Sequence, residues 1–356
     1  MLSFCLKCFF VTFAHRGCLS LFFKVNKDTV MIKQEWKEKG YINEPVPEGM
    51  DLKAEIRRLC EEKNAVVLAH YYTDGAVQDV ADFVGDSLAL AQIAEKTTAD
   101  ILVMCGVHFM AETNKILSPD KLVLIPDLNA GCSLAESCPA EELAKFKAEH
   151  PGYKVVAYVN TSAAVKALTD IVVTSTNARA VVDSFPKDEK IIFAPDKNLG
   201  GYLNAVTHRN MLLWNGGCHV HEQFSIEKIV ELRSTHPDAK VLAHPECKSG
   251  VLALADFIGS TAAILSYAEK NDATEFIVAT ESGILHEMQK RCPEKTFIPV
   301  PPMTGPCACN ECAYMRLNTL EKLYNTLKYE WPTVELDEDL REDAKKPIVR
   351  MLELSK

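Results

Sequence analysis

Short apolar runs that end in alanine recur three times along the chain. The runs are KNAVVLAHYY (63–72), GYKVVAYVN (152–160) and DAKVLAHPE (238–246). Uninterrupted Val, Ala and Leu residues between turn signals are typical of strands buried on both faces of a parallel sheet. The alanines Ala69, Ala157 and Ala243 lie 88 and 86 residues apart, which predicts a threefold repeat.

Each run is followed by a second strand, a polar turn and an amphipathic helix. These segments are ADFVGDSLALAQIA (81–94), TDIVVTSTNARAVV (169–182) and ADFIGSTAAILSYA (255–268). Ser87, Ser175 and Thr261 each lie 18 residues after the repeat alanine of their unit. A hydroxyl residue at such a turn is either a helix N-cap alone or a cap that also binds an anion at the positive helix end. Both interpretations stay open on the sequence.

Two further predicted strands complete each unit. They are DILVMCG and KLVLIPD in the first unit, KIIFAPD and NMLLWNGG in the second, and EFIVAT and KTFIPVPP in the third. Strands that alternate with helices predict an α/β fold with parallel sheets. Because ligands of such sheets bind outside the carboxyl ends of the strands, three units about a common centre would enclose a cavity.

Helical patterns flank the repeat and define the predicted domains. Asp51 is a predicted N-cap for an entry helix that runs through Glu62, and a leucine-rich helix from Leu317 ends before Pro332. The predicted divisions are an N-terminal extension over 1–30, α/β domains over 31–140, 141–228 and 229–312, and C-terminal helices over 313–356 that pack back on the core.

The N-terminal 23 residues do not fit the pattern of the rest. They are apolar, but Lys7 and the His15–Gly17 break leave runs too short to span a bilayer. We interpret the segment as translated upstream sequence or a disordered tail, with Met31 as an alternative start. A targeting segment is the other interpretation.

Composition narrows the class of protein. The net charge of −10 and the pI near 5.6 argue against nucleic acid or an anionic membrane as a partner. Thirteen cysteines in 356 residues are too sparse for a disulfide scaffold, and the odd number suits a reducing compartment. We therefore expect a cytoplasmic protein whose thiols serve metal binding or catalysis.

A cysteine follows the last strand of each unit in a glycine-containing turn. The turns are NAGCSLAESC (129–138), NGGCHVHE (215–222) and TGPCACNEC (304–312). Cys132 and Cys218 lie 63 and 61 residues after their repeat alanines, whereas Cys307, Cys309 and Cys312 lie at 64, 66 and 69. One thiolate from each unit would meet at the centre. Such thiolates suit a [4Fe–4S] cluster with an open fourth position, or zinc completed by His219 or His221.

These segments together resemble the quinolinate synthase family. The motifs that carry the resemblance are LAHYYTDGAVQDVADFVGDSLALA, FMAETNKILSP, AGCSLAESCPA, YVNTSAAVKALTD, NGGCHVHE, AHPEC, FIGSTAAI and CAYMRLNTLEKLY. Eight motifs in order make the resemblance specific from about Lys33 to the C-terminus. It implies three pseudo-threefold-related α/β/α sandwich domains with short parallel sheets around a central site.

The resemblance also implies a reaction and a cofactor. Family members condense iminoaspartate with dihydroxyacetone phosphate to quinolinate, with loss of phosphate and water, and use a [4Fe–4S] cluster with an open iron as a Lewis acid. The implied cluster ligands are Cys132, Cys218 and Cys312, although register alone would favour Cys307 as the third. An aspartate oxidase or dehydrogenase would supply the iminoaspartate.

The substrate site is implied in the same way. Tyr72 and Glu246 are the expected proton carriers, with His70 and His244 as catalytic residues that orient substrate. The implied substrate-binding residues are His70, Ser87, Tyr158, Val159, Asn160, Ser175, His221, His244, Pro245, Glu246 and Thr261. Two alternatives remain, namely a hydro-lyase that acts on another substrate and a non-catalytic iron–sulfur or zinc protein that senses oxygen or donates clusters.

Overall fold

The computed structural model describes residues 32–303 and 310–355. The predictions about the extension over 1–30, about Met31 as a start, and about Cys307 and Cys309 lie outside the described residues. Within them, the chain from Ile32 onward forms one compact unit that contains three sheets. In this part of the chain, no helix combines the length and apolar character needed to cross a membrane.

Three four-stranded parallel sheets confirm the predicted repeat and α/β class. The strands are β1 Ala65–His70, β2 Phe83–Gly85, β3 Ile101–Cys105 and β4 Leu122–Leu124 in the first unit; β5 Lys154–Tyr158, β6 Ile171–Val173, β7 Ile191–Ala194 and β8 Leu212–Leu213 in the second; and β9 Lys240–Ala243, β10 Phe257–Ile258, β11 Glu275–Ala279 and β12 Thr296–Pro299 in the third. Each sheet has the second strand at one edge, then the first, third and fourth. The three units therefore share one topology.

Helices connect the strands and cover the sheets. They are α1 Gln34–Lys39, α2 Leu52–Lys63, α3 Gly75–Val80, α4 Ser87–Lys96, α5 His108–Leu117, α6 Ser133–Glu136, α7 Ala140–Glu149, α8 Ala163–Ala167, α9 Ala178–Ser184, α10 Lys197–Thr207, α11 Ile226–Thr235, α12 Ser249–Leu252, α13 Thr261–Lys270, α14 Ile284–Arg291, α15 Leu320–Tyr329 and α16 Glu338–Glu353. Asp51 caps α2, as predicted, by accepting a hydrogen bond from the Ala54 amide at 3.1 Å.

Strand register makes the three repeat alanines equivalent. Ala69 pairs with Cys105, Ala157 with Ala194, and Ala243 with Ala279, each between the first and third strands of a sheet. The alanines are fully buried, as are most residues of the central strands. Burying one Val, Leu or Ile side chain stabilises the fold by roughly 1.5–3 kcal/mol, so these apolar runs drive formation of the sheets.

The C-terminal helices contact the first two units. Helix α15 packs on α2, and α16 packs on α8 and β6. The core between the first two sheets includes Ala344, Ile348 and Met351 of α16. Helix α16 therefore contributes to that core, whereas Leu323 and Leu327 of α15 pack with α2 and the first sheet. The predicted domain boundaries themselves stay predictions.

One prediction about the polar turns is wrong. The N-caps of α4, α9 and α13 are Asp86, Asn177 and Ser260. Ser87 and Thr261 instead open their helices as the first helical residue, and Ser175 lies before the cap of α9. The predicted hydroxyls are therefore not the caps. The side chains of Asp86 and Ser260 cap α4 and α13 instead, by accepting hydrogen bonds from the Ala89 amide at 2.9 Å and the Ala263 amide at 3.3 Å, whereas Asn177 makes no side-chain cap hydrogen bond to α9.

Candidate active site and metal centre

One cavity lies where carboxyl ends of strands from all three sheets meet. It encloses about 720 Å³ of atom-free space, counted to its open mouth. The sequence-predicted residues that line it are His70, Tyr72, Ser87, Cys132, Tyr158, Val159, Asn160, Ser175, Cys218, His221, His244, Glu246, Thr261 and Cys312. Pro245 is buried between two lining residues but does not itself line the cavity. The fold thus brings together residues that lie up to 242 positions apart in the sequence.

His70 and Tyr72 form the end of β1 in the first unit. The Tyr72 amide donates to His70 Nδ1 at 3.2 Å, and the two rings contact edge to face with centroids 4.6 Å apart. The Tyr72 hydroxyl lies 2.7 Å from Thr261 Oγ1 and 2.8 Å from Thr280 Oγ1, both in the third unit. Two threonines of another unit therefore fix this phenol.

His244 and Glu246 form the corresponding end of β9 in the third unit. The Glu246 amide points to His244 Nδ1 at 3.4 Å. The Glu246 carboxylate is 3% exposed and accepts a 2.6 Å hydrogen bond from the Tyr158 hydroxyl of the second unit. Its other oxygen lies 3.0 Å from His221 Nδ1. Neighbours from the second unit thus hold this buried carboxylate.

Burial sets the protonation states of these groups. It lowers the pKa of His70 to about 4 and that of His244 to about 3, so both imidazoles are neutral near pH 7. Burial also raises the pKa of the Tyr72 and Tyr158 phenols well above the usual value. Burial alone would raise the pKa of Glu246. The His221 and His244 imidazoles and the hydrogen bond from Tyr158 outweigh burial and lower this pKa to about 2. Glu246 is therefore an ionised carboxylate near pH 7.

His221 links the carboxylate to the threonine that holds Tyr72. Its Nε2 lies 3.1 Å from Thr280 Oγ1, while its ring is tilted 32° to that of His244 with centroids 4.8 Å apart. A continuous polar chain therefore runs from Tyr72 through Thr280 and His221 to Glu246.

The three polar turns converge beside this chain. The Thr176 hydroxyl of the second unit donates to Asp86 Oδ2 of the first at 2.7 Å and lies 2.9 Å from Ser260 Oγ of the third. Ser87 and Thr261, which follow these two caps, line the cavity together with Ser175. One hydroxyl thus joins the helix starts of three units.

The three predicted metal ligands occupy equivalent backbone positions. In each unit, one residue of the third strand pairs with the repeat alanine, namely Cys105, Ala194 or Ala279. The amide three residues after it donates a hydrogen bond to the carbonyl of the residue that lies two positions before the cysteine. The pairs are His108 with Ala130 at 2.7 Å, Lys197 with Gly216 at 3.0 Å, and Ser282 with Asn310 at 3.2 Å. Cys312 therefore corresponds in position to Cys132 and Cys218, although its sequence spacing is longer.

Their thiols share one environment. All three are half-buried and line the cavity. Burial raises the pKa of Cys132 to about 12 and that of Cys312 to about 11, and the pKa of Cys218 well above its usual value. Cys132 and Cys312 further oppose ionisation of Cys218. A bound cation would reverse both effects, because thiolates are the form that binds metal.

A second donor set overlaps the first. One donor atom each from Cys218, His221 and Glu246 lie within 4.8 Å of one another, a group that could hold a metal ion. His219, the other histidine of the motif, instead places Nδ1 2.7 Å from Ser133 Oγ. The soft donors of three cysteines fit an iron–sulfur cluster, whereas the mixed set would fit a single ion such as zinc.

Several cavity residues were missed by the sequence reasoning. Glu281, which follows β11, lines the cavity, as do Phe109, Met110 and Tyr314 from other elements, and Thr280 contacts the lining residues Tyr72 and His221. A signal for Glu281 exists. Like Asp196 of the second unit, it is an acidic residue two positions past the end of the third strand. Of the other free cysteines in the described residues, Cys60 is half-buried, and Cys105, Cys138, Cys247 and Cys292 are buried.

Comparison with known proteins identifies the family. The family model for quinolinate synthetase A protein matches residues 54–353. The chain is 58% identical over 311 residues to the quinolinate synthase of Thermosynechococcus vestitus, which covers 87% of this chain and 97% of that relative. It is 60% identical over 307 residues to the quinolinate synthase of Chloroherpeton thalassium, with 86% and 95% covered. The chain therefore belongs to the quinolinate synthase family.

Proposed function

We propose that this protein condenses iminoaspartate with dihydroxyacetone phosphate to form quinolinate, with release of phosphate and water, at a [4Fe–4S] cluster held by Cys132, Cys218 and Cys312. The observation that carries the proposal is the meeting of one thiol from each unit with neutral histidines, phenols and a carboxylate in a single cavity. Family membership supports the same product.

The donor set fits the cluster. Among the described residues, three cysteines at equivalent backbone positions supply three soft ligands, which leaves the fourth iron position to substrate. When bound, the cluster would supply a Lewis-acidic iron that can polarise a substrate oxygen. The roles that follow belong to the side chains around it.

Glu246 is the proposed general base. Its carboxylate stays ionised near neutral pH and is buried, so water competes little for it. Tyr158 holds one carboxylate oxygen by its 2.6 Å hydrogen bond and thereby fixes the direction in which Glu246 accepts a proton. Tyr72, whose pKa is raised, is a proton donor through its phenol.

His70 and His244 are proposed hydrogen-bond donors to substrate. Each Nδ1 accepts a backbone amide, so the single proton of the neutral imidazole lies on Nε2. A neutral ring with a fixed tautomer can donate to a carbonyl or carboxylate without bringing a charge. Both rings therefore orient substrate rather than exchange protons at neutral pH.

The anionic groups of the substrates are proposed to bind at the convergent turns. Ser87 and Thr261 open α4 and α13, where free amides and the positive helix end favour a carboxylate or phosphate. Asn160, Val159 and Ser175 lie on the same cavity wall. The imine substrate hydrolyses readily in water, so an aspartate oxidase or dehydrogenase is the proposed supplier.

Anaerobic reconstitution with iron and sulfide tests the proposal. We expect four irons and four sulfides per chain by the cluster stoichiometry, and quinolinate formation from the two substrates. Cys218→Ala should lose the cluster absorbance and the activity together. Cys138→Ala, which removes a buried thiol outside the cavity, is the matched control and should keep both.

Three outcomes would contradict it. Full cluster occupancy in Cys218→Ala would remove that ligand assignment. Stoichiometric zinc without sulfide in the active wild-type protein would favour the set of Cys218, His221 and Glu246 instead. A loaded protein that forms no quinolinate from these substrates would favour the hydro-lyase or sensor alternative.

A further inference from the structure

Glu281 is a fully buried carboxylate that the proposed chemistry does not use. Its Oε1 accepts from the Cys312 amide at 3.0 Å and lies 3.4 Å from Arg316 Nη2. Its Oε2 accepts from the Gly283 amide at 2.6 Å. A buried carboxylate destabilises a fold unless its oxygens are paired, and here both oxygens have partners. The residue is thus a completed connection between β11 and the segment that carries Cys312.

The segment around Cys312 has little regular structure in the residues that the structure describes. Asn310 and Cys312 belong to no helix or strand, and a single 3₁₀ turn follows at Met315–Leu317. The Asn310 side chain donates to the Val220 carbonyl at 2.6 Å, the Ser282 amide donates to the Asn310 carbonyl, and the Arg316 amide donates to the Cys312 carbonyl at 3.1 Å. Hydrogen bonds of the Glu281 and Asn310 side chains therefore help to position the backbone that carries the Cys312 thiol.

The same position behaves differently in the three units. The position in question lies two residues after the third-strand residue that pairs with the repeat alanine. It is occupied by Val107, Asp196 and Glu281 in the first, second and third units. Val107 is apolar and buried, whereas both acids are 0% exposed. Burial raises the pKa of both acids. The Cys218 amide acts to lower the pKa of Asp196, and the Cys312 amide acts to lower that of Glu281. The second and third units thus share an acidic neighbour for the cysteine that the first unit lacks.

We propose that Glu281 is a positioning residue that fixes the Cys312 amide, and so the Cys312 thiol, in the geometry needed to hold the cluster. The inference rests on the proposed function, since it takes Cys312 as a cluster ligand. Arg316 completes the connection by neutralising the carboxylate from the far side of the same segment. Hydrogen bonds that orient metal ligands typically contribute 10–100-fold to metal retention.

Iron release from the reconstituted protein tests this role without substrate. We expect an iron(II) chelator under anaerobic conditions to remove iron from Glu281→Ala about tenfold faster than from wild type. Glu281→Gln should be intermediate, because its remaining oxygen can still accept the Cys312 amide. Glu287→Gln is the matched control and should release iron at the wild-type rate, since Glu287 is also a buried, ion-paired acid of the third unit but lies away from Cys312.

A second measurement needs no metal. In the apo-protein, the alkylation rates of Cys312 and Cys132 can be compared by peptide mass spectrometry. We expect Glu281→Gln to raise the ratio of Cys312 to Cys132 labelling severalfold, and Glu287→Gln to leave it unchanged. This arm also serves if Glu281→Ala does not fold.

The proposal is overturned if Glu281→Gln releases iron at the wild-type rate and has the wild-type labelling ratio. It is also overturned if Glu287→Gln changes both measurements as much as Glu281→Gln does, because equal changes indicate a general loss of stability. If the wild-type chain takes up no iron and sulfide, the proposed function fails, and the labelling ratio alone decides on Glu281. If the cluster is held but no quinolinate forms, the release arm still decides.

Discussion

The strand ends of the first and third units share a backbone arrangement and differ in the side chain that it presents. In both, a histidine follows the repeat alanine, and its Nδ1 accepts the amide two residues further on, at 3.2 and 3.4 Å. That further residue is Tyr72 in one unit and Glu246 in the other. The repeated backbone arrangement thus orients the two imidazoles in the same way. The residue two positions later differs, and it supplies a phenol in the first unit and a carboxylate in the third.

Each of these variable side chains is held by a different unit from its own. Tyr72 contacts Thr261 and Thr280 of the third unit, and Glu246 accepts from Tyr158 of the second. The proposed chemistry therefore depends on contacts between units, whereas each unit alone supplies only the backbone frame. The comparison predicts unequal effects at the variable position and equal effects at the histidines.

Replacing the carboxylate should have the largest effect. In Glu246→Gln the shape is kept, but the anion that accepts a proton is lost, so we expect kcat to fall about 1,000-fold, within the range for general bases. Anaerobic steady-state kinetics on the reconstituted protein measure it. The control is Glu222→Gln. Glu222 is a half-buried acid next to His221 that does not line the cavity, so kcat of this variant should stay close to that of wild type. Activity in Glu246→Gln within tenfold of wild type would remove Glu246 as the base.

Replacing the phenol should have a smaller effect. Tyr72→Phe removes one hydroxyl and leaves the ring against His70, so the cluster absorbance should persist while kcat falls about 100-fold. The neighbouring Tyr71 is buried but does not line the cavity, which makes Tyr71→Phe the control. Unchanged turnover in Tyr72→Phe would exclude Tyr72 from proton transfer.

The two histidines should respond alike. Glutamine can place a donor where Nε2–H lies, whereas asparagine can replace only the Nδ1 acceptor. We therefore expect His70→Gln and His244→Gln each to keep about tenfold more kcat/KM than the corresponding asparagine variant, within the usual value of a hydrogen bond to substrate. Opposite preferences at the two positions would show that the shared backbone frame does not give the rings a shared role.

The smallest effect concerns a surface link between the same two units. Asp79 of α3 accepts from His286 of α14 at 2.8 Å, and this hydrogen bond lowers the pKa of Asp79 to about 2. A carboxylate with a lowered pKa stabilises the fold above its unfolded value near 3.8, and the effect is lost as pH falls toward 2. Asp79→Asn should therefore lower the urea midpoint slightly at pH 7, with the difference narrowing below pH 4.

The exposed Asp120 offers a control for this measurement. Asp120→Asn should leave the midpoint unchanged across the range. A difference for Asp79→Asn that stays constant from pH 7 to pH 3 would mean that its cause is not the ionised carboxylate.

The strand ends could be predicted because burial leaves a strong sequence signal. Continuous apolar runs at nearly constant spacing identify Ala69, Ala157 and Ala243, and parallel strands place the residues after them at one edge of each sheet. The histidines, Tyr72, Tyr158 and Glu246 follow directly from that register. Their presence in one cavity needed only the further assumption of a common centre.

The contacts between units could not be predicted in this way. Thr280 and Glu281 follow a strand whose pattern resembles any other, and their importance lies in hydrogen bonds to Tyr72, His221 and Cys312. Spacing carries no information on such pairs. The caps show the same limit, since Asp86 rather than Ser87 satisfies the α4 amides, and the two differ by one position.

The three cavity thiols lie far apart in the sequence. This separation sets the earliest time during synthesis at which all three are available. Between Cys132 and Cys312 lie 180 positions, which a ribosome adding about 5–20 residues per second needs roughly 10–40 s to synthesise. Throughout that interval the early thiols emerge without their last partner. A cluster bound by all three thiols would therefore be completed only after the last of them has been synthesised.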